Sequence, residues 1–297
     1  MDSRVAILGT GRMGSAIAQR LAEGGAELTL WNRTGDRASK LAERLGLGLP
    51  AASPADAAAG ADLVISSLTG PGAVRSTYEV EGGALEGAHG QVFVEMSTAG
   101  PEVVAELVPL LAARGSILLD APIMGAPTAV LRGEAAMLIG GEPAGVEAAR
   151  PTLARLGDVR HVGPSGSGAR LKLVANSMLG VVTLAAAELQ SAGGAAGLGP
   201  EDVFWVLARL CPALNARRDG YLRGAHTPTL FAVRDLIKDL DLALALFHSS
   251  GSSMPLVGIA RELIHEVEAD AADLDISAVA GRYPRAPSDV AGVRRGR

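Results

Sequence analysis

Gly168, Lys172 and Asn176 follow one another at four-residue steps in the run GSGARLKLVANSMLG, residues 166–180. Around them Leu171, Val174, Ala175, Met178 and Val182 recur at three- and four-residue steps, which predicts a helix. On a helix that spacing puts the glycine, the lysine and the amide on one face, one turn above another. The residue types matter because the 27 basic side chains include only three lysines, Lys40, Lys172 and Lys238. Arginine holds its proton in a protein, whereas a lysine releases it once its pKa is lowered. Asparagine is as scarce, with only Asn32, Asn176 and Asn215. A proton-exchanging group beside an amide is therefore the first chemistry to place.

A second constellation lies near the start, in VAILGTGRMGSAIAQRL. Gly9, Gly11 and Gly14 form a G-x-G-x-x-G directly after a strand-like run and open a helical one. The first glycine permits a tight turn, the second lets backbone approach a pyrophosphate, and the third allows close helix–strand packing. The phosphates then rest at the positive end of the helix. Arg12 and Met13, between the second and third glycines, are counted with this cofactor site. At the end of the second strand, where an acidic residue would hold the ribose of NAD, the chain reads WNRTGDR. Asn32, Arg33 and Thr34 follow the tryptophan, with no carboxylate at the strand end. A guanidinium and a short hydroxyl suit a 2′-phosphate, so NADP(H) is expected in preference to NAD(H).

These sites need elements to carry them. Through about residue 162, short β-rich runs (4–8, 27–31, 62–68, 91–96, 116–122, 135–141 and 158–163) mostly alternate with Ala/Leu-rich helical patterns. Such alternation predicts crossover connections and a mainly parallel sheet covered on both faces. GPSGSG at 163–168 ends the pattern, and helices near 166–195, from Pro200, and around 233–249 and 255–270 follow. The fold class is thus α/β, an N-terminal Rossmann-like doubly wound domain (1–163) plus a C-terminal all-helical domain (164–285), with a solvated tail at 286–297.

Composition excludes several function classes. A formal charge of −5 and 3% aromatic residues argue against nucleic-acid partners. A single cysteine, Cys211, rules out an internal disulfide and a cysteine-based metal site, and the five histidines show no metal-ligand spacing. The longest uninterrupted apolar stretch, around 178–187, falls short of the roughly 18 to 20 residues that span a bilayer. No leader is recognised at the start. A cytoplasmic protein without membrane or nucleic-acid partners is expected.

The ordered motifs GTGRMG, EMSTAGP, DAPIMGAP, GSGARLKLVAN and FAVRDLIKDLDLAL together resemble the β-hydroxyacid dehydrogenases, the 3-hydroxyisobutyrate dehydrogenase family. The resemblance runs from Val5 to about Ala280, and the NRT loop is similar to the NADPH-dependent glyoxylate and succinic semialdehyde reductases. It implies that Lys172 is the general acid/base, protonating an alkoxide as hydride arrives or taking the proton in reverse. It implies Asn176 as its partner, bonding substrate and holding the lysine, with Gly168 leaving room for ligand. Thr98, behind Ser97 at the carboxyl end of a strand, is expected to touch cofactor or substrate; capping the next helix is the alternative. Leu68 and Thr69 match the loop that packs along the cofactor. Lys238 matches the lysine that reaches its nicotinamide end; a surface charge beside Asp239 is the alternative. Family members associate through the helical domain, so a homodimer or homotetramer is expected.

One departure bears on substrate. The family reads D-A-P-V-S-G-G where this chain has DAPIMGAP, so Met124 replaces a serine while Gly125 remains. Backbone donors survive, but the lost hydroxyl weakens the hold on a small carboxylate by on the order of 1–3 kcal/mol if nothing replaces it. The expected reaction is NADP(H)-dependent hydride transfer between nicotinamide and a small aldehyde, keto acid or 3-hydroxy acid. An imine reductase shares the architecture but usually lacks the lysine. A noncatalytic NADPH-binding protein of related architecture lacks it too.

Overall fold

The computed structural model describes residues 4–284; the tail expected at 286–297, and residue 285, lie outside the described residues. Nine strands form one sheet: β1 (Arg4–Leu8), β2 (Glu27–Trp31), β3 (Leu49–Pro50), β4 (Leu63–Ser66), β5 (Val92–Glu95), β6 (Ile117–Asp120), β7 (Ile123–Met124), β8 (Ala135–Gly140) and β9 (Gly157–Gly163). Their order is β3-β2-β1-β4-β5-β6-β8-β7, with β9 on β8. The first six are mutually parallel, and β8 runs antiparallel to β6 and β7. Two-residue strands such as β3 and β7 carry no readable period, which is why the sequence pattern misses them.

Alternation along the strands feeds two apolar layers. Val5, Ile7, Leu28, Leu30, Ile65, Val94 and Leu119 face one layer, with the helices Arg12–Glu23, Gly35–Leu45 and Pro143–Leu153. Ala6, Leu8, Val64, Phe93 and Leu118 face the other, with Pro71–Tyr78 and Pro101–Ala112. Burial on both faces explains the near-continuous apolar strands. This is the doubly wound α/β architecture expected, followed by an all-helical part.

By contacts the chain divides into two compact units, residues 1–173 and 174–297. The division falls inside the Ser167–Ala195 helix, ten residues beyond Gly163, because the first turns of that helix belong to the sheet. Asp120, the last residue of β6, accepts hydrogen bonds from the amides of Gly166 (2.7 Å) and Ala169 (2.8 Å). A carboxylate from another element thereby caps the helix.

The second unit has its own core: Leu184 and Ala187 of the long helix, Phe204, Leu236, Leu240, Val257 and Ile264. The Ser167–Ala195 helix is long and apolar enough to cross a membrane, with a mean hydropathy of 1.4 over its most apolar window. Counting only uninterrupted apolar residues passes over it. Part of its apolarity is used in packing, by Ala169 and Leu173 in the first unit and by Leu184, Ala186 and Ala187 in the second, while Leu171, Val174, Met178 and Leu189 are exposed.

Candidate active site

Strand register aligns Leu8, Ser66, Glu95 and Asp120 in one row at the carboxyl edge of β1, β4, β5 and β6. Immediately beyond that row the chain turns through Gly9, Ser67–Leu68, Ser97–Thr98 and Ala121–Pro122. Ligands of open α/β sheets bind at this edge.

The glycines divide into two kinds. Gly9 has φ +100°, and a side chain there would overlap the Ser67 carbonyl; one at Gly14 would overlap the Gly9 carbonyl. Both are needed for the close turn. At Gly11, by contrast, an added Cβ would meet nothing within 4 Å. Gly11 caps a helix whose first turn holds no acidic residue, so the positive helix end is open to an anion. Arg12 is exposed, whereas the Met13 side chain packs on the first apolar layer. A dinucleotide fits this turn.

At the end of β2, Asn32 is already engaged. Its Oδ1 accepts from the Thr10 amide (3.1 Å) and its Nδ2 donates to the Thr34 carbonyl (3.1 Å). Asn32 therefore ties the glycine turn to the strand end. Arg33 and Thr34 are exposed, and Thr34 makes no side-chain cap to the helix it precedes. The strand end lacks a carboxylate, as read from the sequence, but the exposed Asp36 stands two residues after Thr34 in the first helical turn.

The two neighbouring turns are joined. The Leu68 amide donates to Ser97 Oγ (2.7 Å), and the Ser97 amide donates to Glu95 Oε1 (2.6 Å). Ser66 Oγ donates to Glu95 Oε2, so the Tyr78 hydroxyl donates to Ser66 (2.8 Å). Ser97 is thus a buried link, while Thr98 is half-buried and Thr69 exposed. Thr98 does not cap the following helix; Gly100 occupies that position, without a side-chain bond. Burial pushes the Glu95 carboxyl up to about 7. The sequence reading missed Glu95, although a lone acidic residue closing an apolar strand run, VFVE, is its signal.

Lys172 donates from Nζ to the Ile123 carbonyl (2.7 Å). Next in the chain are Met124, 39% exposed, and Gly125, at φ +141°. The ammonium therefore stands at the segment that departs from the family pattern. Gly168 has a different reason from the expected one. A Cβ there would overlap the Leu138 carbonyl oxygen, so this glycine lets the helix lie on the sheet and does not clear space for a ligand.

In the second unit, Asn176 is buried and donates from Nδ2 to Asp239 Oδ2, while Lys238 pairs with Oδ1 of the same carboxylate. The carboxamide expected to hold the lysine is bound to Asp239, and Lys238 pairs with the neighbour named in its alternative reading, with its side chain 28% exposed. Asp239 is 1% exposed and was not singled out from sequence. Its signal is a carboxylate set in the buried stripe Leu236, Leu240 and Ala243 of the Val233–Ser249 helix.

Fold and glycine turn define a dinucleotide-binding protein, and comparison with known proteins makes this specific. Residues 4–163 match the family described as the NAD binding domain of 6-phosphogluconate dehydrogenase. Residues 166–283 match that described as NAD-binding of NADP-dependent 3-hydroxyisobutyrate dehydrogenase. The chain is 30% identical to 3-hydroxyisobutyrate dehydrogenase of Pseudomonas aeruginosa, over 94% of this chain and 98% of that one. It is 28% identical to glyoxylate/succinic semialdehyde reductase 1 of Arabidopsis thaliana, over 93% and 96%. Among solved structures, Mycobacterium tuberculosis 3-hydroxyisobutyrate dehydrogenase with L-serine superposes with a TM-score of 0.83 at 28% identity, covering 95% of this chain and 99% of that one. An imine reductase from Pseudomonas sp., at 19% identity and a TM-score of 0.64 over 95% and 99%, shares the fold alone. The chain belongs to the 3-hydroxyisobutyrate dehydrogenase family of β-hydroxyacid dehydrogenases. It is an NAD(P)-binding dehydrogenase of that family.

Proposed function

We propose that the chain is an NADP(H)-dependent oxidoreductase of a small aldehyde or keto acid, or in reverse of a 3-hydroxy acid, with Lys172 as general acid/base. The observation that carries this reading is the Lys172 ammonium, held 2.7 Å from the Ile123 carbonyl beside Met124 and Gly125. The bound nicotinamide supplies or accepts the hydride. The ammonium gives a proton to the substrate oxygen, or takes one back, while the Ile123 carbonyl restrains it. Backbone around Gly125, with Met124 alongside, receives the substrate's other end; Thr98 and Asn176 complete its contacts in this reading. Gly9, Gly11, Arg12, Met13 and Gly14 receive the pyrophosphate, and Leu68, Thr69 and Lys238 flank the cofactor. Cytoplasmic location and a homodimer or homotetramer belong to the same reading. The exposed Trp205, Leu210, Leu256 and Ile259 of the helical unit support association.

The test follows NADPH absorbance against glyoxylate, succinic semialdehyde, methylglyoxal and a cyclic imine. Turnover of the acid-bearing aldehydes is the expected result. Turnover of the imine alone supports the imine-reductase reading, and NADPH binding without oxidation supports the noncatalytic one.

Arg33 carries the cofactor preference. Among the described residues it makes no ion pair, and its exposed guanidinium is available to a 2′-phosphate. Arg33→Ala weakens NADPH binding on the order of tenfold or more, as loss of a charge-assisted contact implies, and leaves NADH nearly unchanged. Titration of both cofactors checks this, and equal losses remove Arg33 from the role.

A further inference from the structure

Beneath the sheet's carboxyl edge lies a polar chain that the proposed chemistry does not use: Tyr78, Ser66, Glu95 and Ser97. Tyr78 and Ser66 are 0% exposed and Glu95 1%, so none of them reaches a ligand. A buried carboxyl group in an apolar layer, beside Val64 and Phe93, is costly unless its hydrogen bonds are used. Here they are used on both sides. One oxygen takes the Ser66 hydroxyl of β4; the other takes the amide of Ser97, whose Oγ in turn takes the amide of Leu68. Leu68 closes on the glycine turn, with its side chain 3.0 Å from where a Cβ of Gly9 would stand.

We infer that Glu95 is a positioning residue for the cofactor: from below the sheet edge it sets the Ser97–Thr98 and Leu68–Thr69 turns through Ser97, touching no ligand itself. This inference rests on the proposed cofactor site. The ionised carboxylate accepts from the Ser66 hydroxyl and from the Ser97 amide. When it is protonated the chain reverses: Glu95 donates to Ser66 Oγ, Ser66 donates to the Tyr78 oxygen, and only Oε1 still accepts from Ser97. The neutral state leaves the Tyr78 hydroxyl hydrogen without an acceptor among these groups, and it grips Ser97 with a weaker, uncharged acceptor. The titratable groups acting on Glu95 are the Tyr78 phenol of the Pro71–Tyr78 helix and the Asp120 carboxylate of β6. Burial raises the Glu95 carboxyl most and the Asp120 charge adds to it, which brings the change of state close to neutral pH.

Glu95→Gln mimics the neutral state permanently. NADPH dissociation constants are measured by nicotinamide fluorescence on folded wild type and E95Q between pH 5.5 and 8.5. Below about pH 6 the wild-type carboxyl is protonated, so the ratio of E95Q to wild-type constants is near one. It rises to about tenfold at pH 8, where wild type is ionised and the variant is not. Taking the ratio removes titration of the cofactor's own 2′-phosphate. A ratio that stays at one, or one that is raised but constant with pH, overturns the inference; the latter is what a purely structural role gives. If E95Q does not fold, Ser97→Ala carries the test, because it cuts the link to Leu68 and keeps Glu95. About tenfold weaker NADPH binding is expected there, and unchanged binding overturns the inference. Wild type that fails to bind NADPH overturns this inference and the proposed function together, whereas wild-type binding with an unaltered variant overturns this inference alone.

Discussion

Replacing Lys172 by alanine lowers turnover at least about a hundredfold while NADPH still binds. The size follows from what a positioned general acid contributes, roughly 10²- to 10⁴-fold. The separation of effects follows from place. The Lys172 ammonium bonds to the Ile123 carbonyl, whereas the glycine turn and Arg33 lie on β1 and β2 on the other side of β4, β5 and β6. Lys172→Arg is the sharper companion, since it keeps a positive charge but cannot exchange a proton near neutral pH. Steady-state rates with the best aldehyde, set beside NADPH affinity by fluorescence, check both. Near-normal turnover in either variant removes Lys172 as the proton donor.

Gly168→Ala causes a large loss of stability. The new Cβ would overlap a backbone carbonyl, that of Leu138, and Asp120 closes the other side at 3.0 Å. Neither obstacle is a flexible side-chain end, so the start of the helix must move. That movement breaks the hydrogen bonds from Gly166 and Ala169 to Asp120, and leaves a buried carboxylate short of partners. A cost on the order of 2–4 kcal/mol follows, as for overpacking combined with a lost cap. For a unit of this size it lowers the melting temperature by roughly 5–15 °C. Lys172 is one turn further along and is displaced with the helix, so turnover falls in the protein that remains folded. Calorimetry and rates on the same preparation test this. Unchanged stability shows that the helix has room to shift.

These two positions stood together in the opening motif, and the structure gives Gly168 a role other than the one the motif suggested. Gly168, Lys172 and Asn176 share a helix face, as their spacing requires, yet each answers to a different neighbour. The glycine meets the Leu138 carbonyl, the lysine the Ile123 carbonyl, and the asparagine the Asp239 carboxylate. Helical periodicity reports which residues share a face and says nothing of what lies opposite.

The glycine turn, the alternating strands and helices, and the change to an all-helical second half were all legible in the sequence. They depend on local forces: the conformational freedom of glycine, side-chain periodicity, and the need to bury each apolar stripe. Glu95, Asp120 and Asp239 were not legible as participants. Each is a buried carboxylate with a partner far along the chain: Ser66, the amides at 166–169, and Asn176, respectively. A carboxylate inside an apolar layer is tolerated only where other elements bring donors to it, and that meeting exists only in the folded chain. The sequence by itself determined the architecture and the kind of cofactor turn. The tertiary structure decided which polar residues hold that turn, the lysine and the amide in place, because only packing brings distant donors and acceptors together.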